Sequence, residues 1–278
     1  MYKILKFLCN FIPTKKQRSK ARECLRKKFF PNLRNQMMNK IAFPTSSLIK
    51  SKDKILIIAP HPDDEVIGAG GIIAKYPSQT DVLCINSSGV KYDWNKETEE
   101  EIAQIRCDEF YNTMRHAKVN KSYIAKIWGI PPMFDSIESN FDNYLKNIDF
   151  KSYDIIFVPH KFDGHREHRF VGNYFVKKLL KKAGYKKSLK IARYEVWGTL
   201  QDPNYYENIT DFVDKKRELI DLYVSRSKAH YADRILALNH YRAIVASFKD
   251  AKSFEEAFRV QSVKNYLQEK DDKSWSKE

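Results

Sequence analysis

The chain has 278 residues, a formal net charge of +15 and 42% hydrophobic residues, enough to bury a core in one large or two modest domains. No run of roughly 18 or more uncharged apolar residues occurs, so no transmembrane helix is expected. Residues 1–35 hold eleven Lys or Arg against the single acid Glu23, a net of +10; the remaining body is only mildly basic, and a nucleic-acid partner is not expected.

Residues 1–50 read as a basic amphipathic arm. In the first thirteen, Lys3, Lys6 and Asn10 share one helical face, with Ile4, Leu5, Leu8, Phe11 and Ile12 around the rest. Lys6 and Pro13 argue against a signal peptide. An apolar face followed by many cations describes an interfacial anchor on an anionic membrane surface; the alternative is a solvated helical extension.

From Lys54 the pattern becomes α/β. Ile55–Ala59 is expected to be a buried strand, Asp64–Tyr76 a helix and Asp81–Asn86 a second strand, with a polar loop to Lys96. Glu97–Ala117 reads as a long helix burying Ala103, Cys107, Phe110 and Met114. Further strands are expected at Tyr123–Trp128, Asp154–Val158 and Leu189–Val196, and a helix from about His165 to Lys182 turns Val171, Phe175 and Leu179 inward. Strands alternating with helices imply a mostly parallel sheet covered on both faces. After residue 205 the chain reads as helices only, ending in a polar tail. The expected domain is therefore 51–262, with a tail at 263–278. Cys9, Cys24, Cys84 and Cys107 form no close pair, which fits a reducing, cytoplasmic setting better than a disulfide framework.

Two segments carry chemistry. Ala59-Pro60-His61-Pro62-Asp63-Asp64-Glu65 follows the first buried strand. In an open parallel sheet, ligands bind at the carboxyl ends of strands, and the two prolines restrict the turn that presents the imidazole and carboxylates. Taken alone, adjacent acids also suit a helix N-terminus. After the strand Asp154–Val158 comes Pro159-His160-Lys161-Phe162-Asp163-Gly164-His165-Arg166-Glu167-His168. His165 and His168, three apart at a helix start, can face one point. Imidazoles and carboxylates delivered to one sheet edge are the donor set of catalytic zinc, which keeps an open position beside three protein ligands.

The HPDD turn and the HxxH pair resemble the PIG-L (LmbE-like) family of zinc-dependent N-deacetylases, over about residues 54–260. Arg106-x-x-Glu109, Tyr194-Glu195-Val196-Trp197 and Tyr223-Val224-Ser225 belong to the same resemblance. It implies a Rossmann-like α/β/α sandwich, and a hydrolase that removes the acetyl group from an N-acetylglucosamine-type sugar in glycan or glycolipid biosynthesis. It further implies His61, Asp64 and His168 as zinc ligands, Asp63 as general base, and a protonated His165 facing the developing oxyanion. Arg106, Glu109 and Asp163 are candidate substrate contacts; Arg106 and Glu109 read alternatively as a helix-surface ion pair. Two departures stand out. Arg166-Glu167 replaces the Pro-Asp of many relatives, with Glu167 keeping a supporting carboxylate, and Asp163 stands where some sugar-thiol deacetylases have Tyr. Other functional readings are a sugar-thiol amidase and a non-catalytic membrane-docked module.

Gly68-Ala69-Gly70-Gly71 lies inside the first helix and is read as helix–sheet packing rather than a dinucleotide loop. Trp94 reads either as a cover for a sugar ring or as a loop–core contact. Tyr194 and Trp197 are expected in the core. The oligomeric state is left open.

Overall fold

The computed structural model describes residues 47–87, 96–125, 146, 148–246 and 252–270. Residues 1–46 and Trp94 lie outside these, and the tail is described only to Lys270. In chain order the elements are β1 (Ile55–Ala59), α1 (Asp64–Lys75), β2 (Thr80–Cys84), α2 (Glu99–Ala117), β3 (Lys121–Ile124), β4 (Ile155–Pro159), α3 (Arg166–Phe170), α4 (Val176–Ala183), β5 (Lys190–Tyr194), β6 (Tyr205–Asn208), α5 (Val213–Asp221), α6 (Tyr231–Ala246), β7 (Glu255–Ser262) and α7 (Val263–Gln268).

Among the described residues the sheet has seven strands in the order β3-β2-β1-β4-β5-β7-β6. The first five pair in parallel, whereas β7 runs antiparallel to both β5 and β6. Side-chain alternation along β1 divides the core. Ile55 and Ile57 pack with α1, α2, α5 and α6 on one face; Leu56 and Ile58 pack with α3, α4 and α7 on the other. The result is the expected α/β/α sandwich. Chain direction across the sheet reverses between β1 and β4, which pair directly from Ile55↔Ile155 to Ile57↔Phe157. Their carboxyl ends flank the topological switch point, the usual crevice for ligands in such sheets.

Local sequence explains most elements. Strands β1, β2 and β4 are buried along their whole length, as parallel strands covered on both faces require. Helix α2 opens on a capping box between Thr98 and Glu101 and buries Ala103, Cys107, Phe110 and Met114 as expected. Cys84 and Cys107 are both buried.

Three features depart from the sequence reading. First, the region after residue 205 contains strands β6 and β7 rather than helices alone. Glu255-Glu256-Ala257 has helix-forming composition, but pairing on β6 and bonds from Asn208 and Lys216 to the two glutamates override it. Second, a π-helical stretch, Val171–Phe175, separates α3 from α4. The Gly172 carbonyl there accepts from Arg193 Nη1 at 3.1 Å and Tyr266 Oη at 2.8 Å, so a polar group freed by the bulge is satisfied. Third, α1 breaks at Ala69 (φ −142°). Glu256 accepts from the N–H groups of Gly71 (2.7 Å) and Ile72 (3.1 Å), while Lys216 donates to Ile67 O (3.0 Å), Asn239 Oδ1 (2.9 Å) and Glu256 (2.7 Å). A buried ion pair thus closes the break from both sides. The glycines allow the close packing: a Cβ on Gly68 would overlap the Tyr194 ring, and one on Gly71 would strike Ile209 and Glu256.

Candidate active site

The turn after β1 and the segment after β4 meet above the switch point. His61 Nδ1 lies 3.1 Å from Asp64 Oδ2, His168 Nε2 lies 3.0 Å from the same oxygen, and the two ring nitrogens are 3.3 Å apart. All three residues are buried. His165 joins from the exposed side, its ring centroid 5.1 Å from that of His61 and 4.8 Å from that of His168. His61, His165 and His168 each offer an atom within 4.8 Å of the others, a group that could hold a metal ion.

The outer nitrogen of each buried ring faces a carboxylate. His61 Nε2 contacts Glu167 Oε2, which also accepts from Asn86 Nδ2 at 3.3 Å. His168 Nδ1 lies 3.2 Å from Asp163 Oδ1. Asp163 also accepts from the backbone N–H groups of His165 (2.8 Å) and Trp197 (3.0 Å). Metal-binding histidines are commonly oriented this way, with the distal nitrogen held by a carboxylate.

Asp63 sits beside the cluster in a left-handed conformation, φ 106°, uncommon for a residue with a Cβ and a form of strain found at functional sites. Its backbone N–H donates to Glu65 Oε2 at 3.2 Å, and Tyr223 Oη donates to the other oxygen of Glu65. Arg106 is buried, donates to Pro62 O and lies 3.3 Å from Asp63 Oδ1.

Burial pushes the Asp63 carboxyl up to about 6, against the opposing Arg106 charge, and pushes Glu65 up to about 8, against the Tyr223 hydrogen bond. Burial alone would raise Asp64, but His168 and His61 hold it well below the usual carboxylate range. Burial would lower His168, yet Asp64 and Asp163 push it up to about 10. His165 is pushed down to about 4 by burial and by the neighbouring His168 and His61. Its Nδ1 accepts from Glu167 N as the cap of α3. The ring is therefore neutral at neutral pH with its proton on Nε2, which corrects the expectation of a protonated His165.

Residues 56–179 match the profile of the family described as PIG-L, GlcNAc-PI de-N-acetylase. The chain carries a PIG-L domain. No curated protein matches it in sequence. Among solved structures it is similar to the N,N'-diacetylchitobiose deacetylase of Pyrococcus horikoshii, at 22% identity and a TM-score of 0.62 over 90% of this chain and 94% of that one. The 4-carboxy-2-hydroxymuconate hydratase of Pseudomonas putida is similar at 18% identity and a TM-score of 0.58, over 76% and 96% of the two chains. A deacetylase of the teicoplanin biosynthesis pathway is similar at 11% identity and a TM-score of 0.53, over 75% and 98%. At these identities the structures share the fold.

Within the PIG-L domain and the helices packed on it, the structure brings His61, Asp63, Asp64, His165 and His168 together. Three residues expected at the substrate lie behind the site instead. Arg106 is buried against Pro62 and Asp63. Glu109 accepts from Ser225 N (2.7 Å) and Oγ (2.6 Å), tying α2 to the segment before α6 rather than pairing with Arg106. Asp163 is buried behind His168, its oxygens directed at protein donors. Tyr194 is in the core as expected, donating to Ile58 O at 2.8 Å, but Trp197 is 41% exposed. The supporting pair Glu65–Tyr223 went unassigned. Glu65 adjoins the HPDD turn, so proximity in sequence marked it, whereas its partner lies 158 residues away.

Proposed function

We propose that the protein is a zinc-dependent hydrolase that removes the acetyl group from an N-acetylglucosamine-type amino sugar. The observation that carries this reading is the convergence of His61 Nδ1, Asp64 Oδ2 and His168 Nε2 at separations of 3.0–3.3 Å. Three corners of a tetrahedron with zinc–ligand bonds near 2.0–2.1 Å stand about 3.3 Å apart. The donor set thus fits zinc, and each imidazole has its carboxylate behind it. The family description, GlcNAc-PI de-N-acetylase, supports an acetylated sugar amine as substrate, as do the deacetylases among the similar structures. The hydratase among them is a reminder that the fold alone leaves the reaction open.

A bound zinc would polarise the acetamide carbonyl and acidify the attacking water. The chain's own residues do the rest. Asp63, fixed by Arg106 and Glu65, takes the proton of the water as its oxygen attacks the carbonyl carbon. The neutral His165 directs its Nε2–H toward the oxygen on which negative charge develops. As the C–N bond breaks, Asp63 returns the proton to the leaving amine, giving the free amino sugar and acetic acid, which ionises to acetate.

The acceptor is proposed to be a glycan or glycolipid intermediate reached at an anionic membrane through the basic residues 1–35; the catalytic domain, expected at 51–262 with a tail from 263, also takes in α7, whose Val263 and Tyr266 are buried in the core. Among the described residues no helix is long and apolar enough to cross a membrane, and the thiols of Cys84 and Cys107 suit a cytoplasmic, peripherally bound enzyme. Metal analysis of purified protein, with acetate release from N-acetylglucosamine, its disaccharide, a lipid-linked form and a sugar-thiol conjugate, tests the reading. One zinc per chain and acetate release abolished by Asp63→Asn are expected. Protein lacking bound zinc and inactive on the whole panel after zinc addition would refute it.

A further inference from the structure

Asp63 is the N-cap of α1, a position at which aspartate ordinarily turns its carboxylate back onto the first N–H groups of the helix. Here it makes no such bond, and its backbone is left-handed, φ 106°. A residue with a Cβ keeps that conformation only where its surroundings over-determine it. On the carbonyl side the start of α1 does so, since Asp63 O accepts from Val66 N at 3.2 Å and Ile67 N at 3.0 Å. On the amide side the restraint is the bond from Asp63 N–H to Glu65 Oε2 at 3.2 Å. Glu65 is fully buried, and its other oxygen accepts from Tyr223 Oη. A glutamate side chain has several staggered rotamers open to it; the bond from Tyr223 selects the one that serves Asp63.

Tyr223 is itself mounted on α2. Its ring is buried in the core, and Ser225, two residues on, donates to Glu109 from N at 2.7 Å and from Oγ at 2.6 Å. Glu109 follows Arg106 by nearly one helical turn, and the Arg106 guanidinium lies 3.3 Å from Asp63 Oδ1. One helix therefore restrains both ends of the same residue. Arg106 holds the carboxylate directly, and Glu109 holds the backbone through Ser225, Tyr223 and Glu65.

We propose that Tyr223 is a positioning residue for the general base: through Glu65 it keeps Asp63 in the left-handed turn that directs its carboxylate into the site and away from the N-terminus of α1. Without the hydroxyl, Glu65 is released, the Asp63 backbone relaxes and the carboxylate swings toward the helix N–H groups. This rests on the deacetylase reading, in which Asp63 is the base, and adds what aims that base.

The test is Tyr223→Phe in the full chain, compared with wild type at equal zinc content. Its kcat for acetate release from N-acetylglucosamine or its disaccharide should fall roughly tenfold to a hundredfold, the range for a catalytic group misplaced by up to about 1 Å. KM should change little, because the loss falls on the transition state. Glu65→Gln should retain most of the turnover, since its amide oxygen accepts from Asp63 N–H while its NH2 donates to Tyr223 Oη; Glu65→Leu should not. In Asp63→Asn protein, adding Tyr223→Phe should alter the residual kcat by less than about twofold, because the group acted on is already gone. Hydrogen exchange at the Asp63 amide, followed by NMR, should be faster in Tyr223→Phe while the amides of β1 exchange as before. Ser225→Ala should shift kcat and exchange in the same direction by less, and serves if Tyr223→Phe folds poorly. Unchanged kcat with unchanged exchange at Asp63 would overturn the proposal. So would a fall in kcat that is equally large in the Asp63→Asn background, or one accompanied by faster exchange throughout β1, either of which leaves Tyr223 as a core residue alone. Faster exchange confined to the Asp63 turn, in a protein whose wild type releases no acetate from any sugar, would uphold the positioning and refute the deacetylase reading.

Discussion

Asp163 separates the two roles assigned to it, substrate contact and support of His168. In Asp163→Asn, one carboxylate oxygen becomes an NH2 group. Oδ1 serves His165 N at 2.8 Å and lies 3.2 Å from His168 Nδ1, while Oδ2 serves Trp197 N at 3.0 Å. Whichever way the amide turns, at least one backbone N–H then faces a donor. A stranded buried donor costs about 1–3 kcal/mol, so the protein should unfold at lower denaturant but still fold. His168 also loses the negative charge behind it, and loss of such a supporting partner typically weakens metal affinity about 10–100-fold. Zinc competition with a chromophoric chelator, on variant and wild type at one pH, measures this directly. Zinc affinity within twofold of wild type, combined with a raised KM, would refute the reasoning and return Asp163 to the substrate.

Asp63→Asn should keep zinc and lose most turnover, because an amide cannot accept the proton; metal-verified steady-state assays check it. With the Asp63 carboxyl at about 6, activity should fall as pH drops through about 6 or somewhat lower, since a bound cation favours the ionised form. Zinc uptake should strengthen with pH, because His168 titrates at about 10 in the metal-free fold and must shed its proton to bind, adding up to about tenfold per pH unit below that value. The same raised value stabilises the metal-free fold below the unfolded value of 6.5 and loses that contribution as pH rises through 10. Titrations at pH 6, 7 and 8 should show the slope. Lys216→Met leaves Glu256 buried and uncompensated and should cost about 3–5 kcal/mol, with part recovered in Lys216→Met/Glu256→Gln; denaturant unfolding of both decides it.

The sequence by itself determined the parallel core and the two segments that carry chemistry, because these are local signals. Five-residue apolar runs such as Ile55–Ala59 can only be buried, and the HPDD and HxxH spacings place their donors without reference to the rest of the chain. Adjacency of β1 and β4, which makes one site of the two segments, is a property of strand order. Tertiary structure alone decided what stands behind each donor. Asp163 and Glu167 look alike in sequence, yet one backs His168 and the other His61, because the distal nitrogens of the two rings point in different directions. Arg106 and Glu109 suggest an ion pair by spacing, but packing of α2 turns one to Asp63 and the other to Ser225. The antiparallel strands β6 and β7 were hidden because Glu255 and Glu256 have helical propensity, and only partners remote in the chain, Asn208 and Lys216, make their burial in a strand favourable.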